Sequence, residues 1–202
     1  MAISQKIRNL VAPNLPVAPV EYQQRYQDQF ANVLRLFFNL VANAVNAPKP
    51  HGSFYDTTTQ TNPVGNAVNL MKINNTYDDA QTAFSVSRDT TRVYVAETGV
   101  YNIAFSAQLD KTGGGASDVY IWIRVNGVNV PYSASKVVID GPNAEMIPAW
   151  NWVLSLAAND YIEIAWESSD TNVVLAAAAA TGNIPAIPSV IITVTWISNE
   201  NL

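Results

Sequence analysis

The side chains that could do chemistry are few, and their spacing works against it. His51 is the one histidine, and the chain has no cysteine. A Ser-His-Asp relay or a histidine-rich metal centre therefore has one residue to build on, and disulfides and thiolate sites are excluded. His51 lies between Pro50 and Gly52 in a stretch that reads as a joint. An exposed linker histidine is the plain reading; three copies meeting on a threefold axis would be the metal-binding one. Glu163 and Glu167, with Asp160 and Asp170 nearby, are the carboxylates a glycosidase would need. On a strand, positions four apart are separated by about 13 Å, beyond the ~5–9.5 Å of catalytic carboxylate pairs. A solvated strand face is expected instead.

Lys111-Thr-Gly-Gly-Gly-Ala-Ser117 is glycine-rich but lacks the ending of a phosphate-binding loop and joins two strands. It reads as a flexible hairpin loop, with Gly113, Gly114 and Gly115 as a candidate recognition tip. Ser168-Ser-Asp170-Thr-Asn172 offers oxygen ligands without a spacing that specifies calcium. Trp122, Trp150, Trp152, Trp166 and Trp196 would serve either as a sugar-stacking platform or, more simply, as core and interface. The chain is expected to be non-enzymatic, with no cofactor and no bound metal.

The elements that position these residues follow from periodicity. The chain has 202 residues, a net charge of −5, 49% apolar and only 13% charged residues. That supports a sizeable core with much neutral surface, and the missing Lys/Arg cluster argues against nucleic acid. Residues 1–10 have no apolar run of the kind a secretory leader carries, and no run spans a bilayer. A soluble protein made in a cytoplasm is expected.

Residues 1–19 read as an extended arm. Pro13, Pro16 and Pro19 exclude a regular helix there, while Ile3, Ile7, Leu10, Val11, Leu15 and Val17 make it apolar for a free tail. It docks elsewhere or folds back on its own chain. Residues 20–46 read as an amphipathic helix: Tyr26, Phe30, Val33, Phe37, Leu40 and Ala44 recur with a heptad rhythm, beside Leu34, Phe38, Val41 and Val45. That face suits burial among several neighbours, as in a threefold bundle, or packing on the same chain's β region. Tyr26, Phe30, Val33, Leu34, Phe37, Leu40 and Val41 are the candidate oligomer or docking residues. Residues 47–52, with Pro48, Pro50 and Gly52, form a linker and the domain boundary.

Residues 53–202 read as a β-sandwich. Gly99-Val-Tyr-Asn-Ile-Ala-Phe-Ser-Ala-Gln-Leu109 puts Tyr101, Ile103, Phe105, Ala107 and Leu109 on one face, the period of a half-buried strand. Further strands are expected at 54–59, 67–73, 92–96, 119–126, 128–130, 136–139, 149–156, 161–167 and 190–197, with Asn126-Gly127 as a tight turn. Residues 173–180 fit a strand, although the alanines favour helix by propensity.

Two resemblances add to this. Gly99-Val-Tyr-x-Ile-x-Phe-Ser-Ala, Val119-Tyr-Ile-Trp-Ile-Arg-Val-Asn-Gly-Val and Leu156-Ala-Ala-Asn-Asp160-Tyr-Ile-Glu-Ile resemble the jelly-roll heads of the tumour necrosis factor and complement-globular-head superfamily. Asn159 stands where a glycine is usual. The resemblance implies a mainly β chain with a jelly-roll head and a homotrimer. The chain also looks like small virion structural proteins of tailed phages that infect marine and cyanobacterial hosts. The residues that carry this likeness are Tyr22-Gln-Gln-Arg-Tyr-Gln-Asp-Gln-Phe, Gly52-Ser-Phe-Tyr-Asp-Thr-Thr-Thr-Gln-Thr, Ala149-Trp-Asn-Trp-Val-Leu and Pro185-Ala-Ile-Pro-Ser-Val-Ile. It implies a particle component, a capsid decoration or short fibre, held to other virion proteins by the arm and helix. A receptor- or glycan-binding head is the alternative.

Overall fold

The computed structural model describes residues 13–46, 49–77 and 86–198, without the side chains of residues 44–46. Ile3, Ile7, Leu10 and Val11 of the arm, Ala47 and Pro48 of the joint, and the side chains of Ala44 and Val45 lie outside the described residues. The chain forms two compact units, one up to Lys49 and one from Pro50 onward.

In the first unit, helix α1 spans Gln24–Asn46. It starts later than the apolar rhythm suggests. The chain bends at Val20 and Glu21, and the Gln23 carbonyl is the first acceptor, taking Tyr26 N–H at 3.1 Å and Gln27 N–H at 3.3 Å. Pro19 and the β-branched Val20 carry the extended arm past residue 19. The Tyr26 hydroxyl donates to the Pro16 carbonyl at 3.3 Å, so the described end of the arm folds back onto the helix's first turn.

Among its described residues the second unit is all β. Its strands are β1 (His51–Asp56), β2 (Gln60–Thr61), β3 (Asn69–Leu70), β4 (Asn75–Thr76), β5 (Val86–Arg88), β6 (Val93–Val95), β7 (Gly99–Ala107) and β8 (Leu109–Lys111). After these come β9 (Ala116–Val125), β10 (Val128–Asn129), β11 (Ser135–Asp140), β12 (Ala144–Met146), β13 (Ala149–Leu156), β14 (Tyr161–Ser168), β15 (Val173–Leu175) and β16 (Val190–Ser198). One sheet has the order β13-β7-β16-β1-β4; a second runs β10-β9-β14-β6-β5, with β11 also on β9 and β3 also on β14; a small third is β12-β8-β15-β2. Take the main strands β1, β6, β7, β9, β11, β13, β14 and β16 as first to eighth. The two large sheets then read 1-8-3-6 and 2-7-4-5, every pairing antiparallel. That order defines a jelly roll.

The alternation in β7 is realised in full: Gly99, Tyr101, Ile103, Phe105 and Ala107 are buried, and the residues between them are not. Burial alternation continues past Gln108 through Leu109 and Lys111, so β7 and β8 are one strand crossing from the first sheet to the third. The core between the sheets contains Phe54, Met71, Ile103, Ile121, Ile164, Trp166 and Val194. Gly99 must be glycine, because a Cβ there would lie 2.3 Å from the Trp196 indole nitrogen and 2.7 Å from the Ser198 carbonyl. Asn159 takes φ 72°, the left-handed conformation a glycine would otherwise supply.

Three expectations change. His51 and Gly52 belong to β1, pairing with Thr195 and Val194, so the joint is shorter than residues 47–52. Of residues 67–73, only Asn69–Leu70 pair, beside Trp166 and Ala165. The strand expected at 173–180 stops at Leu175, and the alanines enter an exposed excursion. Small side chains with no core to face have nothing to hold them in a ladder.

Candidate functional site

The helix stripe comes first. Tyr26, Phe30, Val33, Leu34, Phe37 and Val41 are half-buried, and Leu40 is 58% exposed. Tyr26 stacks on Phe30 with ring centroids 6.1 Å apart, and Phe37 meets Phe38 at 6.0 Å. None of the described α1 side chains is fully buried, and Leu36 and Phe38 are exposed as well. The helix therefore holds these residues on one surface without enclosing them.

The outer face of the first large sheet is the second surface. Strand register builds it as rows: Tyr55, Ile191, Ser106 and Ala149; then Ser53, Thr193, Ala104 and Asn151; then His51, Thr195, Asn102 and Val153. Tyr77 adds its ring against Tyr55 at 4.4 Å. No Asp, Glu, Lys or Arg lies in these rows. Two polar pairs meet on it: Asn151 donates to Asn102 at 2.6 Å, and the Ser53 and Thr193 hydroxyls lie 3.1 Å apart. The result is a face without carboxylate, ammonium or guanidinium groups that mixes apolar with small polar side chains.

The outer face of the second large sheet is built differently. Glu163, expected on a solvated face, is 3% exposed. Its Oε1 accepts from Arg92 Nε at 3.2 Å, and its Oε2 lies 3.4 Å from Arg124 Nη1. Register explains this, since β14 places Glu163 opposite Arg124 on β9. The Arg92 guanidinium also sits 4.4 Å over the Tyr161 ring, and hydrogen bonds with Tyr94 and then Glu163 raise its pKa. Two arginines at once hold this carboxylate as a structural counter-ion. Lys136 pairs with Asp118 at 3.2 Å on the same face.

The glycine-rich tip is latched, where the sequence suggests a flexible loop. Lys111 is wholly buried, and its ammonium donates to the Gly115 carbonyl and to Ser117 Oγ at 2.7 Å, 3.2 Å from Asp170 Oδ2. Ser117 donates to the same Asp170 oxygen at 2.9 Å. The Asn172 backbone N–H, at 2.9 Å, is the main cause holding Asp170 down to about 2, helped by Ser117 and Lys111. Gly113 lies against Asn172, where a Cβ would come within 2.8 Å of the amide nitrogen; Gly114 has open space around it. Of the oxygens that suggested calcium, Asp170 Oδ2 is the one that faces the buried lysine ammonium. Among the described residues, no three His, Cys, Asp or Glu side chains form a metal cluster.

The tryptophans do not make an exposed platform. Trp166 lies in the core and Trp122 is 9% exposed, its indole donating to Asn129 at 2.9 Å. Trp150, Trp152 and Trp196 pack against the core, with Phe105 4.7 Å from Trp150 and 5.3 Å from Trp152.

Tyr132 escaped the sequence analysis. It follows Pro131 in a turn closed by Ser133 N–H to the Val130 carbonyl at 3.4 Å, has φ 62°, and projects fully into solvent. A bulky side chain in the left-handed region costs about 1–2 kcal/mol. The one signal was proline followed by a residue at a turn position that favours glycine or asparagine.

No protein-family model matches the sequence, and no curated protein does. Among solved structures, the globular domain of a zebrafish complement 1qA protein aligns with a TM-score of 0.44 and 15% identity, over 76% of this chain and 100% of that one. At that level the likeness adds nothing to the strand order, which by itself defines the jelly roll.

Proposed function

We propose that this chain is a non-enzymatic structural module that assembles as a homotrimer, with the jelly roll as head and the arm and helix as anchor to a larger particle. The observation that carries this reading is the pair of unfinished surfaces: a helix with a row of large apolar side chains left half-exposed, and a broad sheet face without a charge. Half-exposed aromatic and aliphatic rows of this kind mark association surfaces. The resemblance to phage virion proteins supports a virion as that particle, with assembly in a bacterial cytoplasm and other virion proteins as docking partners. Light scattering of the purified chain tests the assembly, with a single trimeric species expected. Cryo-electron microscopy of the parent particle tests the anchor, with density for α1 expected at the particle surface.

A second reading is a receptor- or glycan-binding head, and the latched tip at Gly113, Gly114 and Gly115 favours it. Lys111 holds the tip in one conformation, which lowers the ordering cost of recognition. A glycan array with the full chain tests it; binding that Lys111→Met abolishes is the expected result on this reading.

A further inference from the structure

Residues 176–189 form an inserted finger. Strand β15 runs beside β8 and β16 beside β7, and β7 and β8 are one continuous strand, so β15 and β16 lie in line. Only Gln108 separates the two ladders. Its carbonyl accepts from Ala176 N–H at 2.7 Å, and its N–H donates to the Ser189 carbonyl at 2.9 Å. In a hydrogen-bonded antiparallel pair a single opposing residue makes both of those bonds. Here they come from residues thirteen positions apart, and the chain between leaves the sheet and returns.

The excursion is ordered. Ala178 and Ile187 exchange two backbone hydrogen bonds at 2.9 Å, and Thr181 and Ile184 exchange two more at 3.0 and 2.9 Å. Gly182, at φ 57°, opens the two-residue turn. Pro185 and Pro188 stiffen the return. The core has no use for its tip: residues 178–187 are all exposed, with Ile184 at 58% and Ile187 at 40%. No charged residue occurs between Asp170 and Glu200. A stiff, uncharged hairpin with isoleucines in solvent is poorly matched to water and preorganised for an apolar contact.

We infer that this finger is the second half of the subunit interface: it packs on the uncharged outer face of the first large sheet in a neighbouring copy. The inference rests on the homotrimer reading above. Three arguments choose this occupant. A closed ring of three copies joins head to tail, so each copy needs two different surfaces that fit each other. The sheet face and the finger are two such surfaces, and neither holds a charge that the other would leave unpaired on burial. The areas also call for both. The rows of the face outline roughly 400 Å², from strands about 4.8 Å apart and rows about 6.8 Å apart. A stable interface takes roughly 800 Å² from each partner. A projecting finger, touched on more than one side, supplies area that a flat sheet lacks.

The test uses the full chain. A photo-cross-linking amino acid replaces Ile184 in a mixture of isotopically light and heavy chains. Light scattering over a dilution series then compares the natural chain with Ile184→Asp and with a variant whose residues 179–186 are replaced by Asn-Gly. Ile184 is exposed, and the shortened hairpin keeps the Ala178–Ile187 pair, so the circular dichroism of both variants should match the natural chain. The expected result is light–heavy cross-links to residues such as Ala104, Thr193 or Asn151, and at least tenfold weaker association of both variants. Unchanged association, or cross-links that land elsewhere, overturns the finger's role while a trimeric natural chain upholds the homotrimer. A natural chain that stays monomeric at all concentrations overturns both.

Discussion

The two outer faces of the sandwich are made from the same strand periodicity and finished in opposite ways. On the second sheet, Glu163 lies between Arg92 and Arg124, and Lys136 pairs with Asp118. On the first sheet, Ser53, Tyr55, Asn102, Ala104, Ile191 and Thr193 present no charge. A face bound for water keeps ions on it, because ions are costly to bury and cheap to leave hydrated. A face bound for another protein surface sheds them. On the proposed reading, the contrast gives the second face to solvent and the first to assembly.

Substitutions can break that contrast. Glu163→Ala should cost the most, about 1–3 kcal/mol, because it removes the buried carboxylate that two partly solvated arginines share. Thermal unfolding should register it as a large drop in melting temperature, and an unchanged melt would make the second face ordinary surface. Phe37→Asp should leave the melting of the β unit unaltered and shift assembly towards monomer at least tenfold, about 1.4 kcal/mol. Sedimentation at several concentrations measures it. Ala104→Glu, in the middle of the neutral face, should change the unfolding free energy by less than about 0.5 kcal/mol while weakening association by a similar factor. If association is unchanged, the face is not an interface. Tyr132→Gly relieves a strained left-handed residue and should stabilise the fold by about 1 kcal/mol; chemical denaturation reads that gain.

Acid should sharpen the contrast further. Asp170 is held down to about 2 from an ordinary 3.8, so its folded form releases the proton more readily than the unfolded chain does. Its contribution is complete above the ordinary value and is lost as pH falls through the folded one. The melting difference between the natural chain and Asp170→Asn should therefore close between about pH 4 and pH 2. Association through an uncharged face should vary little with salt.

Period-two runs such as 99–109, 149–156 and 161–167 were legible because alternation carries its own instruction: each second side chain needs the same apolar layer. Asn126-Gly127 announced its turn by residue type. The short strands β2, β4, β5 and β12 were not legible, because two or three residues carry no period and only a neighbouring ladder makes them strands. Val173–Leu175 could be told from the alanines after it only by which residues had β8 beside them.

Local chemistry thus decided which of the longer segments are helix or strand and which side of each is apolar, since those choices depend on neighbours within a few positions. Folding in three dimensions decided the fate of the charges. Lys111, Ser117 and Asp170 became one buried latch, and Arg92, Arg124 and Glu163 one cluster, although 53 and 71 residues separate Ser117 from Asp170 and Arg92 from Glu163. No local pattern encodes such meetings. They follow from strand order, which sets the residues that share a row and so the ions that find a partner.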